Sequence, residues 1–226
     1  MNNITLITSV INTPNNPLSY SNIRSVFSKE ERFKQLKKTI ESVRENIPNN
    51  KIILVECSLL SDIENEYLKE NIDYFLNIYD TNENNLISRM FTKSKSMGES
   101  TMTIYALLYI LKNNIEFDNF FKISGRYWIN NNFYYELFNN NMSCVSLINN
   151  DKNNIHTSFY KLSKEHSNKF IDYLINSEND FINCIGYEVF FAKFINSIEN
   201  KNNIKILEQK IGINGYISVC GTLIDV

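Results

Sequence analysis

The sequence predicts an α/β fold: a mostly parallel sheet with helices on both faces and a small antiparallel patch near its end. Apolar, β-branched runs alternate with helix-patterned segments through the first half of the chain, and two helix starts carry capping signals. No linker rich in Gly, Pro or Ser and no internal repeat divides the 226 residues, so a single domain over 1–226 is expected.

Residues 4–11, Ile-Thr-Leu-Ile-Thr-Ser-Val-Ile, form a buried first strand that ends at Asn12-Thr13-Pro14. Ser28 and Glu31 make a capping box, and Phe33, Leu36, Ile40, Val43 and Ile47 then recur at helical spacing up to Pro48. Residues 51–56 give a second apolar strand, and Ser61 with Glu64 caps a short helix. Residues 72–79 fit either a third strand or more of that helix. Residues 80–98 read as a polar connection, followed by a helix from Glu99 to about Leu111 with Ile104, Leu107, Leu108 and Leu111 on its apolar face. Phe117–Ser124 reads as a central strand running into Gly125-Arg126-Tyr127. Crossovers between parallel strands of this kind are right-handed. Further on, 144–148 and 157–160 look like a hairpin joined by the loop 149–156. Helices follow at about 163–176 and 180–198, and 204–207 reads as a last short strand.

Composition narrows the function. With 23 Lys and Arg against 25 Asp and Glu, the formal charge is −2, without the cationic excess that nucleic-acid binding needs, so no nucleic-acid partner is expected. A hydrophobic share of 43% is enough for a full core. Asparagine, about one residue in six, reports an AT-rich genome more simply than a functional tract, because apolar residues break every run. Cys57, Cys144, Cys184 and Cys220 are too scattered for paired zinc ligands or a disulfide framework. No apolar run approaches eighteen residues, and the N-terminus lacks the basic flank and length of a secretion signal. The expectation is a soluble cytoplasmic protein, with peripheral membrane contact still open and no signal for oligomeric state.

In an open parallel sheet, ligands collect beyond the carboxyl ends of the strands. Three such ends stand out: Thr8-Ser9, Glu56-Cys57-Ser58 and Lys122-Ile123-Ser124-Gly125-Arg126. The first strand lacks a glycine-rich phosphate turn, which argues against a dinucleotide site, a P-loop and a methyltransferase. A Gly-x-Ser-x-Gly elbow is missing, and only His156 and His166 could serve as imidazole bases, which argues against a serine hydrolase. His166 reads as a solvated helix residue, and His156, in a loop beside Thr157, as the better functional candidate. Lys122 and Ser124, two apart on a strand, share a face, and Arg126 follows immediately.

Several segments together resemble the nucleotide-sugar-binding half of a GT-A glycosyltransferase. They are Leu6-Ile7-Thr8-Ser9, the helix Arg32 to Val43 with the strand end Val55-Glu56-Cys57-Ser58, Lys95-Ser96-Met97-Gly98-Glu99 opening a helix, and Phe120 to Tyr127. The likeness is to small polysaccharide glycosyltransferases of AT-rich bacteria and large viruses; it covers about 4–130, with a thinner match at Ile211–Tyr216. It implies a GT-A-like domain with a nucleotide-binding part at about 1–130 and an acceptor part at about 131–226. The implied activity is transfer of a sugar from a nucleotide-diphosphate sugar to a glycan or lipid-linked acceptor in surface polysaccharide or glycan synthesis. Donor contacts would fall on Thr8, Ser9, Glu56, Ser58, Lys95, Gly98, Glu99, Ser124, Gly125 and Tyr127, and an acceptor contact on His156.

One departure shapes the expected chemistry. Metal-dependent members of this fold hold a divalent cation with Asp-x-Asp; this chain has no such motif and shows Lys122-Ile123-Ser124 at the corresponding strand end. Departure of a nucleoside diphosphate builds negative charge that something positive must receive. Arg126 can fork onto phosphate oxygens, Lys122 or Lys95 can act as point charges, and a helix starting near Glu99 can add its first amides. Lys122 and Arg126 are therefore expected to be catalytic, with no metal; a reserve site for Mn or Mg would use Asp80, Asn82 and Glu83. Glu188, in Gly186-Tyr187-Glu188-Val189-Phe190-Phe191, is the candidate base for the acceptor hydroxyl, with Glu99 in reserve. Tyr127 and Trp128 adjoin this edge, where they could stack on a ligand or belong to the core. The alternatives are a non-catalytic nucleotide-sugar-binding relative and a sugar nucleotidyltransferase, which would want a glycine-rich loop after the first strand.

Overall fold

The computed structural model describes residues 1–81, 83–208 and 210–226. β1 (Asn3–Ser9) is buried along its whole length, as its apolar run requires. α1 (Lys29–Asn46) starts at the expected capping box: Ser28 Oγ accepts from the Glu31 amide and the Glu31 carboxylate accepts from the Ser28 amide. β2 (Asn50–Glu56) follows, and then α2 (Asp62–Asn71) with the second capping box at Ser61 and Glu64. The undecided segment is a strand, β3 (Tyr74–Asn77).

The segment expected to be a polar connection contains a helix, α3 (Asn84–Met90), and α4 (Lys95–Lys112) begins four residues before the expected start. Ser94 caps α4 by accepting from the Met97 amide, so Glu99 lies in the second turn and not at the helix N-terminus. β4 (Asn119–Ser124) leads directly into β5 (Tyr127–Ile129). The hairpin is β6 (Ser143–Ile148) with β7 (Asp151–Ile155), so the expected loop is mostly strand. Asn149 and Asn150, at φ 51° and 59°, turn it in the left-handed region that two-residue hairpin loops demand.

β8 (Phe159–Ser163) pairs chiefly with β4 and meets β6 only at Cys144 and Lys161. α5 (Lys164–Asn176) is followed by two helices where one was expected, α6 (Glu178–Ile182) and α7 (Tyr187–Ser197), broken at Cys184 with φ 57°. β9 (Ile204–Leu207) is not the last strand: β10 (Ile213–Tyr216) and β11 (Leu223–Asp225) come after it. Among the described residues, no helix is long and apolar enough to cross a membrane.

The main sheet runs β3-β2-β1-β4-β8-β6-β7, with β9 added parallel to β6. β1 to β4 are parallel, and the antiparallel pairing begins at β8. Alternation along the strands sends Ile4, Leu6, Ile53, Val55 and Phe120 to one face, where α4, α5 and α7 cover them. Ile7, Ile52, Leu54, Phe121 and Ile123 go to the other, under α1 and α2. Both faces are therefore core, and the free edge for a ligand is the carboxyl rim where β1 sits between β2 and β4.

The second sheet, β11-β10-β5, fixes the path of the chain beyond β4. Gly215 lies opposite Tyr127, and a Cβ at Gly215 would overlap the Tyr127 ring, so β10 packs on β5 only because no side chain intervenes. Gly215→Ala should therefore lower unfolding stability by about 1–3 kcal/mol through overpacking, read from urea titration; an unchanged midpoint would show that Tyr127 moves aside freely.

Candidate functional site

A cavity of about 600 Å³ opens beyond the ends of β1 and β4, bounded by α3, α4, the start of α7 and the segment between β1 and α1. Its wall carries five basic side chains, Arg24, Arg32, Lys95, Lys122 and Arg126, against two acidic ones, Glu99 and Glu188. In a chain of net charge −2, this is a local reversal of sign, and it favours an anionic ligand.

Strand alternation puts Lys122 on the α4 face, beside Leu6 of β1 and Tyr160 of β8. Its ammonium is fully engaged: it pairs with Glu99 at 2.5 Å and donates to Ser124 Oγ at 2.7 Å and to the Thr157 carbonyl at 2.7 Å. Thr8 Oγ1 donates to the same Glu99 oxygen at 3.0 Å, and Thr157 Oγ1 donates to Glu188 Oε1 at 3.1 Å. Burial alone would raise the Glu99 pKa; the Lys122 ion pair, aided by Lys95 and Thr8, overrides it and holds Glu99 below its ordinary value. Burial pulls Lys122 below its usual lysine value, an effect that Glu99 opposes without cancelling. The expectation of Lys122 as a free phosphate cation is thus corrected. It is a positioning residue, and Glu99 is its counter-ion, neither a spare base nor a helix-start residue.

Arg126 is differently placed. The Gly125 amide donates to the Thr8 carbonyl at 2.9 Å, which ties the β4 exit to β1; Gly125 itself does not line the cavity. Arg126 Nε donates to the Tyr216 carbonyl at 3.3 Å, while its terminal nitrogens make no hydrogen bond and no ion pair among the described residues. It is a half-buried fork held at its root with its open end in the cavity.

The cavity also gathers Thr8, Ser9, Lys95, Gly98, Ser124, Tyr127, His156 and Glu188 from the sequence-based set. Lys95 stands at the mouth, in contact with solvent yet ringed by protein. That surrounding lowers its pKa, reinforced by Arg126 and Lys122 and opposed by Glu188 and Glu99. A Cβ on Gly98 would come within 3.2 Å of the Met90 carbonyl, so Gly98 serves the close packing of α4 on α3. Tyr127 is 8% exposed and mostly core, while Trp128, half-buried, carries the Lys38 ammonium 3.5 Å from its ring centre and lies outside the main cavity. Burial lowers the His156 pKa, and Glu188 opposes this.

Glu56 and Ser58 do not reach the cavity. Glu56 is fully buried, and its carboxylate accepts from the Ile11 amide, the Cys57 amide and, at 2.6 Å, Ser58 Oγ; it braces the loop after β1. Burial raises its pKa despite these bonds. His166 is buried at 1%, its Nδ1 2.7 Å from Ser143 Oγ, which corrects the expected surface position.

Asp80 and Glu83, in the reserve metal set, are exposed and away from the cavity; Asn82 lies outside the described residues. Among the described residues, no cluster of three metal-ligating side chains occurs. The divalent cation that the GT-A resemblance brings with it needs several oxygen ligands. Lys122 and Ser124 at the β4 end, with Glu99 already paired, do not fit it.

Arg24 and Arg32 were missed by the sequence reading. Arg32 sits four residues before Leu36, on the stripe that buries α1, and that spacing was the signal. Arg24 donates to the carbonyls of Asn16 and Thr92, and burial lowers its pKa.

The architecture that carries this cavity has counterparts among solved structures. A Desulfovibrio desulfuricans G20 protein provisionally named a nucleotide-diphospho-sugar transferase superposes with a TM-score of 0.50 at 8% identity, over 92% of this chain and 80% of that one. The chain shares the fold of that structure. The glycosyltransferase GlyE of Streptococcus pneumoniae TIGR4, in its apo form, gives 0.52 at 10% identity, over 92% of this chain and 45% of its own length. Neither a protein-family profile nor a curated protein sequence matches the chain. At these identities the nucleotide-diphospho-sugar transferase likeness concerns the fold, and the site has to be argued from its own residues.

The buried pair supplies a direct test. Lys122→Met leaves Glu99 uncompensated and should cost about 3–5 kcal/mol in urea unfolding, whereas the double variant Lys122→Met with Glu99→Leu should recover most of it. The pH dependence comes from Glu99: its lowered folded pKa contributes stability above the ordinary value of 4.5, lost as pH falls through the folded one. The double variant should lose that acid-side slope; an unaltered slope would mean that the pair does not control it.

Proposed function

We propose that the chain is a glycosyltransferase that moves a sugar from a nucleotide-diphosphate donor to the hydroxyl of a glycan or lipid-linked acceptor. The observation that carries this reading is the open Arg126 fork, set in a cation-rich cavity at the switch between β1 and β4 of a nucleotide-diphospho-sugar transferase fold. In doubly wound α/β sheets that switch point is where nucleotides bind. Arg126 holds the diphosphate, and Lys95 adds a point charge from the mouth. Thr8, Ser9, Ser124 and Tyr127 form the floor and side of the donor pocket. Residues from about 1–130 and from about 131–226 both line the cavity, consistent with one domain whose later part receives the acceptor beside His156.

Glu188 takes the proton of the acceptor hydroxyl. As that oxygen bonds to the anomeric carbon, the bond from carbon to diphosphate oxygen breaks, and its electron pair leaves with the nucleoside diphosphate. Thr157 orients Glu188, and Lys122 holds the Thr157 carbonyl, so the ion pair below the rim sets the base above it. Arg126, already in place, meets the growing charge without reorganising.

Turnover against a panel of nucleotide sugars tests the assignment. Arg126→Ala should lower kcat roughly 10²–10³-fold, about 2.7–4 kcal/mol of transition-state stabilisation. Glu188→Gln should lower transfer about 10²–10⁴-fold while donor binding persists. Full activity in either variant removes that residue from the mechanism, and binding without turnover of any donor removes the enzyme reading.

A further inference from the structure

Arg32 is a buried cation that the proposed mechanism leaves unused. It belongs to the first turn of α1, is 5% exposed, and reaches the cavity wall. Its Nε donates to the Val10 carbonyl at 2.6 Å, and its Nη1 to Ser25 Oγ at 3.3 Å and Ser218 Oγ at 3.2 Å. All three acceptors are uncharged. Among the described residues it forms no ion pair, and Nη2 carries no hydrogen bond, so two of its five donors are unspent. The Glu56 carboxylate is near enough to favour the charged guanidinium but forms no ion pair with it: its Oε1 serves two amides and Ser58, and its Oε2 is buried without a hydrogen bond. Burial lowers the Arg32 pKa to about 9; Arg126, on the same cavity wall, lowers it further and Glu56 opposes both.

A strut between Val10, Ser25 and Ser218 would need those three bonds and no net charge. A buried charge without a direct ion-pair partner is a standing cost to the fold, and the half-buried Arg126 on the same cavity adds to it. We infer that Arg32 is a second phosphate-binding residue, its Nη2 donating to the same diphosphate that Arg126 holds. The bound anion then supplies the direct ion-pair partner that Glu56, acting only from a distance, does not. This rests on the donor reading of the cavity and adds a ligand to it from α1, beside the exit of β1. The three bonds at Nε and Nη1 keep the fork aimed before the anion arrives, which limits the ordering cost of binding.

The test uses the full chain with uridine diphosphate, guanosine diphosphate and inorganic pyrophosphate, by calorimetry and thermal unfolding in excess chelator. Arg32→Lys keeps the charge and removes the fork. It should weaken pyrophosphate about ten- to a hundred-fold and shrink the ligand-induced rise in Tm, whatever its own Tm. Arg32→Gln should do the same, and wild-type crystals soaked in pyrophosphate should show an anion oxygen within hydrogen-bond distance of Nη2. Wild-type Kd in the variants that fold, or an anion held by Arg126 alone in the soaked crystals, overturns the Arg32 assignment and leaves the donor reading standing. If wild type binds none of the three probes, the donor reading falls and takes this inference with it.

Discussion

A buried ion pair under the carboxyl rim of the sheet, Lys122 of β4 with Glu99 of α4, sets the position of its surroundings. Its hydrogen bonds reach β1 through Thr8, the β4 exit through Ser124 and the approach to β8 through Thr157. Thr157 in turn holds Glu188 at the start of α7. Four parts of the chain far apart in sequence are thus registered by one ammonium and one carboxylate. Two charges so placed gain little net stability against an apolar pair of the same volume, but removing either one is costly. The value of the pair lies in the geometry it imposes.

The arginines around the cavity have the opposite character. Arg24, Arg32 and Arg126 are held by uncharged oxygens, and none forms an ion pair among the described residues. A paired floor beneath unpaired walls suits the proposed anion site: the floor fixes the shape, and the walls keep their charge free. In a recessed cavity such donors act at lower effective dielectric than on the open surface, and they are aligned before charge develops.

Much of the first half was legible in the sequence because local rules and tertiary structure agree there. β1 and β2 are buried on both faces and read as continuous apolar runs, and the capping boxes at Ser28 and Ser61 mark true helix starts. The second half was less legible for a compositional reason. Asn149-Asn150 is a proper hairpin turn, yet in a chain where asparagine is everywhere the pair carries little information. In the first half the exception is α3, which lacks a side-chain cap and so had no start signal. At the site, alternation correctly put Lys122 and Ser124 on one face, but no local rule could say that Glu99, on the helix crossing that face, would neutralise the lysine. Glu56 misled because a carboxylate at a strand end is equally suited to bracing a loop, as it does for Ile11. Arg32 was hidden by its own chemistry: a charge on an amphipathic helix is read as solvent-facing, although its spacing to Leu36 places it inward.

The central claim is that side-chain cations of this chain hold a nucleoside diphosphate where related folds employ a metal. Calorimetric titration of the wild-type protein with uridine and guanosine diphosphates, first in excess chelator and then with added manganese, tests it most directly. The account predicts that at least one of the two binds in chelator and that manganese leaves its Kd essentially unchanged. Binding that appears only once manganese is present would contradict it.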